Sequence, residues 1–180
     1  MPYALELRQR FTPLQNRYDL VDGTGRTLGY AEQKRMALKE KVTFFADDAK
    51  TQVAFTLGAR NVIELAATYD VLDASGTALA TMKKDVAKSF LRSTYRVSLP
   101  DGRELVAHER SLFVALFRRF VDLPLFAIHF DVTAPDGRAL VTVDRVMKIR
   151  DVYTIHVQDD TLDWRVAAAL AVAFDAFMNR

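Results

Sequence analysis

Residues Tyr18 to Lys41 read YDLVDGTGRTLGYAEQKRMALKEK, and two folds compete for them. Gly23, Gly25 and Gly29 form G-x-G-x-x-x-G, one residue longer than the turn that cradles a dinucleotide pyrophosphate between a strand and a helix. Asp47 and Asp48 stand about twenty residues on, where that fold places an acidic ribose ligand. The stretch AEQKRMALKEK also has high intrinsic helix propensity. The competitor is a strand, a tight turn and a returning strand, the first of several hairpins. Recurrence separates the two.

Three further stretches align with the first on one glycine: TYDVLDASGTAL at Thr68 to Leu79, TYRVSLPDGREL at Thr94 to Leu105, and HFDVTAPDGRAL at His129 to Leu140. Seven residues before Gly25, Gly76, Gly102 and Gly137 stand Tyr18, Tyr69, Tyr95 and Phe130; five before stand Leu20, Val71, Val97 and Val132. Three residues after each glycine comes Leu28, Leu79, Leu105 or Leu140. With leucine at roughly a tenth of ordinary chains, four coincident leucines arise by chance about once in ten thousand trials. An aromatic and a branched residue spaced by two put one face of a strand on a core. D-x-x-G or P-D-G adds an Asp that bonds its own backbone and a glycine free to take positive φ. The frame predicts four hairpins, with each returning strand starting at the leucine. DGTGRTLG is then a turn, since the same frame recurs three times without any phosphate fingerprint. A turn of helix at Met36 to Glu40 remains open.

Between the hairpins, KVTFFAD, TQVAFTLG and NVIELAAT are strand-like with short polar joins. SLFVALFRRFVDLP is the exception: Leu112, Ala115, Leu116 and Arg119 fall at helical spacing, Pro124 ends the run, and a short helix or turn is expected. After a last strand, DVYTIHV, come Asp159, Asp160 and Asp163, an acidic start suited to capping a helix. The run WRVAAALAVAFDAFMNR that follows is apolar almost all round, so it belongs inside a core or a membrane. From Asp163 to Met178 a helix measures roughly 24 Å, short of the ~30 Å hydrocarbon thickness, and Asp175 falls within it. Burial in protein is favoured. Alanines on every side let strands approach, which predicts a β-barrel closed around its own C-terminal helix.

These hairpins, the returning strand LATMKKD with its basic end, the segment LFRRF, and the apolar helix after YTIHV together resemble the LURP-one-related proteins. That family groups with phospholipid scramblases and the tubby C-terminal domain. The resemblance runs from about Leu14 to Met178. It implies a mainly β fold: a closed antiparallel barrel of about a dozen strands around a central hydrophobic helix at about residues 161–178. It does not imply an active site, since that superfamily has no established catalytic residues in this domain. The chain lacks the Cys-rich stretch and the EF-hand-like acidic loop associated with scramblases, which argues against lipid translocation.

Composition agrees. The 180 residues, half of them hydrophobic, suit one domain spanning 1–180. Lys and Arg outnumber Asp and Glu by 25 to 23, a net charge of +2 that gives no strong nucleic-acid signal. The absence of cysteine excludes a disulfide framework, a thiolate nucleophile and a Cys-ligated zinc. Glu6, Arg8 and Arg10 interrupt any secretory-type apolar core, so the expected location is the cytoplasm, with peripheral membrane contact as an extension. No transmembrane span is expected.

The chemistry-bearing residues do not assemble into a catalytic pattern. Asp47 and Asp48, and Asp159 and Asp160, are adjacent acids in loops, where turn formation is the commoner role. His108, His129 and His156 lack metal-site spacing and fit the surface of a barrel. No G-x-S-x-G or Walker A sequence occurs. The expectation is a protein that is not an enzyme and has no cofactor. Basic residues collect after the turns: Lys34, Arg35, Lys39 and Lys41; Lys83, Lys84, Lys88 and Arg92; Arg118 and Arg119. Tubby-like domains hold phosphoinositide head groups with such side chains, so Lys83, Lys84, Lys88 and Arg92 form the candidate ligand-binding cluster. Anionic membrane lipid is the first expected partner and an unidentified protein the alternative, with nucleic acid behind both. The competing role of these cations is to protect strand ends and keep the barrel soluble.

Overall fold

Tyr18, Tyr69, Tyr95 and Phe130 are all buried, and Leu20, Val71, Val97 and Val132 beside them have no exposed surface. The four repeats therefore point one face of a strand into a common core, as their spacing predicts. A computed structural model describes residues 1–10, 15–34, 41–60, 68–85, 94–110, 128–146 and 152–178. The sequence-predicted helical turn at Met36 to Glu40, the helix or turn in SLFVALFRRFVDLP, and most of NVIELAAT lie outside the described residues.

Twelve strands form the wall: β1 Tyr3–Arg10, β2 Gln15–Asp22, β3 Thr27–Lys34, β4 Lys41–Phe45, β5 Val53–Ala59, β6 Thr68–Asp73, β7 Ala78–Lys84, β8 Thr94–Ser98, β9 Glu104–Glu109, β10 Ile128–Thr133, β11 Ala139–Val146 and β12 Val152–Val157. Each is antiparallel to its sequence neighbour, and β1 closes the barrel against β12 with Tyr3 opposite Val157 and Arg8 opposite Val152. Closure leaves no sheet edge to protect. The stretch AEQK belongs to β3, where Ala31 is buried opposite Phe44. Tertiary pairing there overrides helix propensity.

Gly25, Gly76, Gly102 and Gly137 have φ of 86–88° and so occupy equivalent positions. In each turn the residue three before the glycine accepts its N–H and donates to the carbonyl one beyond it; Gly25 N–H to Asp22 O is 2.9 Å, and Asp22 N–H to Arg26 O is 2.9 Å. This is the three-residue loop whose last member must be left-handed. Two sequence variants close the same loop. In the first, Asp22 and Asp73 begin the turn, and Asp73 Oδ1 accepts from the Ser75 N–H at 2.8 Å and the Thr77 N–H at 2.9 Å. In the second, Asp101 and Asp136 precede the glycine and accept from the N–H of Arg103 at 3.0 Å and Arg138 at 2.9 Å. Gly29, the last glycine of the false fingerprint, has another reason: a Cβ there would lie 2.8 Å from the carbonyl oxygen of Phe45.

The repeat leucine follows one residue into each returning strand. In three hairpins Leu28, Leu79 and Leu140 are the unpaired residues of β-bulges, whereas Leu105 pairs regularly with Val97. The bulge allows two consecutive residues to face the core, as Leu140 and Val141 do.

The helix, α1, runs from Trp164 to Met178. It starts later than the sequence suggests because Asp159 first forms a turn, accepting from the Leu162 N–H at 3.1 Å. Asp163 is the cap: its Oδ1 accepts from the Arg165 N–H at 2.8 Å. Every residue from Val166 to Phe174 is buried. Stacking of Phe174 on Phe130 at 4.1 Å ties the helix to one repeat aromatic, while Trp164 meets Phe55 edge-on at 5.8 Å near its start. Each fully buried Val, Leu or Phe contributes roughly 1.5–3 kcal/mol. Asp175 has its side chain outside the described ones. Among the described residues no helix is long and apolar enough to cross a membrane.

Candidate functional site

All five described hairpin turns, and the entry into α1, lie at one end of the barrel. The opposite end is marked by the other strand termini, among them Arg10, Lys34, Lys41 and Lys84. Two surfaces combine the features of a site: the outer wall at the far end of β7 and β8, and a groove at the turn end.

Lys83 and Lys84 close β7, but adjacent residues on a strand face opposite ways. Lys83 is exposed and lies opposite Arg96 of β8 and Thr68 of β6. Lys84 is half-buried and pairs with Tyr95, on the face that carries the core. The two lysines thus do not form one patch on the wall. Lys88 and Arg92 lie outside the described residues. The cation that joins Lys83 is instead Arg96, also exposed, whose guanidinium meets Asp85 at 3.2 Å.

Sequence reasoning missed Arg96, although the repeat contains its signal. Directly after the repeat aromatic stand Asp19, Asp70 and Asp131 in three hairpins and Arg96 in the fourth. The three aspartates each hold an arginine from the end of the preceding strand or the residue just beyond it. Arg10 meets Asp19 at 2.8 Å, Arg60 meets Asp70 at 2.6 Å and Arg110 meets Asp131 at 2.7 Å. Hydrogen bonding to Arg60 lowers the Asp70 pKa and raises that of the guanidinium. In the fourth case the polarity is reversed, with Asp85 the partner of Arg96.

A second position inverts in the neighbouring β6–β7 hairpin, on the strand that pairs with β8. Four residues after the repeat leucine stand Glu32, Glu109 and Asp144, but Lys83 in β7. Glu32 pairs with Lys50 and Asp144 with Arg110, on the outer wall. Glu109 is buried, because β9 lacks the bulge and its residues keep the inward register. Lys83 and Arg96 therefore put two positive charges directly across a strand pair, at positions that are acidic elsewhere in the barrel. Like charges so placed destabilise a sheet.

The histidines fall where expected, on strands of the wall. His129 Nδ1 lies 2.5 Å from Asp144, His108 is half-buried and His156 exposed. Asp47 and Asp159 are turn formers: Asp47 accepts from the N–H groups of Thr51 and Gln52, which lowers its pKa. Asp159 accepts from the hydroxyl and N–H of Thr161, with its pKa lowered first by that hydroxyl.

At the turn end, β1, the β2–β3 turn and the segment leading into α1 enclose an open groove of about 1080 Å³. Tyr3, Leu28, Ala54 and Trp164 are among its lining, with Asp22, Asp160 and Asp163 around it. Tyr3 donates to the Leu162 carbonyl at 2.7 Å. The groove joins residues from both ends of the chain, so no local motif announces it.

Comparison with curated proteins finds no match. The family model described as LURP-one-related matches residues 27–175, and the chain belongs to that family.

Proposed function

We propose that this protein is a non-enzymatic binding module that holds anionic lipid or phosphoinositide head groups on the outer face of β7 and β8, at the periphery of a membrane. Membership of the LURP-one-related family is compatible with a binding module. The observation that carries the lipid reading is the charge inversion: Lys83 opposite Arg96, where the other hairpins place carboxylates. A sheet that opposes like charges incurs a cost, which a phosphate seated between the two cations would offset. Lys84 at the adjoining strand end adds positive potential from the inner face.

Sedimentation with neutral vesicles, and with vesicles containing a phosphoinositide, tests the proposal at low and high salt. Binding that requires the phosphoinositide and falls with salt is the expected result. Equal sedimentation with neutral vesicles, or none with either, overturns it. In that case the same cations serve a protein-interaction scaffold facing an acidic partner.

A further inference from the structure

We propose that the turn-end groove is a second binding site, selective for an amine-bearing apolar molecule whose chain or ring lies along Trp164, Leu28 and Ala54 and whose ammonium sits between Asp22 and Asp160. The site is distinct from the β7–β8 face and does not depend on it.

Size sets the class of ligand. A groove of about 1080 Å³ is at the upper end of small-molecule sites, which occupy ~300–1,000 Å³. Its interior presents half-buried aromatic and aliphatic side chains: Tyr3, Trp164 and Leu28 are each partly exposed while packing against the core. Such surface gains by being covered. The Tyr3 hydroxyl inside the groove is already engaged, donating to the Leu162 carbonyl at 2.7 Å. What a ligand meets there is chiefly the apolar surface of Trp164, Leu28 and Ala54.

Charge sets its polarity. The surrounding carboxylates are Asp22, Asp160 and Asp163, against two cations, the Arg165 guanidinium and the Met1 ammonium, which leaves the rim net negative by one charge. Asp163 is committed to Arg165, at 2.6 Å, and to the helix start. Asp22 is only half used: the N–H and hydroxyl of Thr24 and the N–H of Arg26 all bond to its Oδ1, which leaves Oδ2. Asp160 is exposed and meets the ammonium of Met1. The field of these carboxylates reaches into the groove. The Tyr3 pKa is raised, first by burial and then by Asp163 and Asp159. Anions are disfavoured by the same field, which separates this site from the lipid-head-group face.

Trp164 is the only tryptophan in the chain, so its emission reports on the groove alone. The test titrates the full chain with octylammonium, octanol and octyl sulfate, all below their aggregation concentrations, and follows that emission. Octylammonium should give a saturable change with a half-saturation about tenfold below that of octanol, and octyl sulfate should be weaker than both. The double variant Asp22→Asn, Asp160→Asn removes charge while keeping an Oδ1 acceptor for the turn, and should bring octylammonium to the level of octanol. Ala54→Phe should block all three probes by filling the groove, with a melting temperature equal to that of the unaltered chain showing that it is folded. Preference for octyl sulfate, failure of every probe to saturate, or an unchanged preference in the Asn variant each overturns the proposal. So does saturation by a Lys-Leu-Leu peptide when octylammonium has no effect, which would assign the groove to a partner protein.

Discussion

The two ends of the barrel are built on different rules. At the turn end, the residues 22–26, 46–52, 73–77, 99–103, 134–138 and 158–165 carry nine aspartates against five cations. Most of these aspartates are spent on the backbone of their own turn, as Asp73 is on Ser75 and Thr77. Towards the other end, charges act between strands: Arg60 on Asp70, Arg110 on Asp131 and Asp144. A carboxylate that closes a turn has its geometry set within five residues. One that bridges strands can be exchanged for a cation when its partner changes too, as Asp85 and Arg96 show. Function can be added more cheaply where charges are exchangeable, and the inverted pair at Lys83 and Arg96 is found there.

Both ends depend on α1, so its removal is the largest perturbation. Truncation after Asp160 leaves Val71, Val132 and their neighbours facing a void too large to collapse, and the chain should aggregate on expression. A soluble, cooperatively melting product would break the central-helix account. Ala169→Trp or Ala171→Trp is gentler: both alanines are fully buried, and overpacking should cost at least about 1–3 kcal/mol.

Glycine variants sharpen the comparison at the turn end. Gly102 has φ of 86° with nothing within 4 Å of a Cβ, so Gly102→Val should cost about 1–2 kcal/mol through backbone conformation alone. Gly29→Ala meets the Phe45 carbonyl oxygen at 2.8 Å and should cost about 1–3 kcal/mol by forcing β3 and β4 apart. At about 2–4 °C per kcal/mol for a chain of this size, thermal melts resolve both. An unchanged melting temperature for Gly29→Ala would show that the contact yields freely.

The same contrast explains what was legible in the sequence. The turn end was readable because each hairpin repeats one local frame, and Tyr18, Val71 or Leu105 can be aligned without knowing what they touch. Strand pleat was the missing step at Lys83 and Lys84: a cluster in sequence is divided between two faces once the strand forms. Arg96 was legible in principle, as the one departure from Asp after the aromatic. The groove was not, because Tyr3 and Leu162 meet only on closure of β1 against β12. The match of the family model over residues 27–175 likewise begins after β1 and β2, whose pairing completes the wall.

At the strand-terminal end the expected effect is on binding and hardly on stability. Each cation near an anionic surface is worth about 1 kcal/mol, so Lys83→Glu removes one attraction and adds one repulsion, about 2 kcal/mol or about 30-fold in vesicle affinity. The same variant places a glutamate opposite Arg96, which should stabilise the sheet by about 0.2–1 kcal/mol. Weaker binding with an equal or higher melting temperature is the signature. Lys84→Glu, on the other face, should weaken binding less. Equal losses from both would mean that the lysines act as diffuse charge, without the pairing of Lys83 and Arg96.

The smallest effect lies in acid and tells the two kinds of carboxylate apart. Asp73 has its pKa lowered chiefly by the Ser75 hydroxyl and then by the Thr77 N–H, and Asp70 has its pKa lowered chiefly by Arg60. A depressed folded pKa means stabilisation that is complete above the unfolded value, about 3.9, and lost as pH falls through the folded one. Both groups should therefore make melting temperature fall more steeply below about pH 4 than it does in Asp73→Asn or Asp70→Asn, with little slope change between pH 5 and 7. Salt separates them. At 1 M the screening length is about 3 Å, so the attraction of Arg60 for Asp70, exposed at its guanidinium, weakens, while hydrogen bonds from Ser75 and Thr77 to Asp73 do not rely on a distant charge. The acid slope attributable to Asp70 should shrink in high salt and that attributable to Asp73 should persist. Equal salt sensitivity at both sites would show that the turn aspartates also act through the general field of the acidic end, and the distinction between backbone-bound and strand-bridging carboxylates would fail.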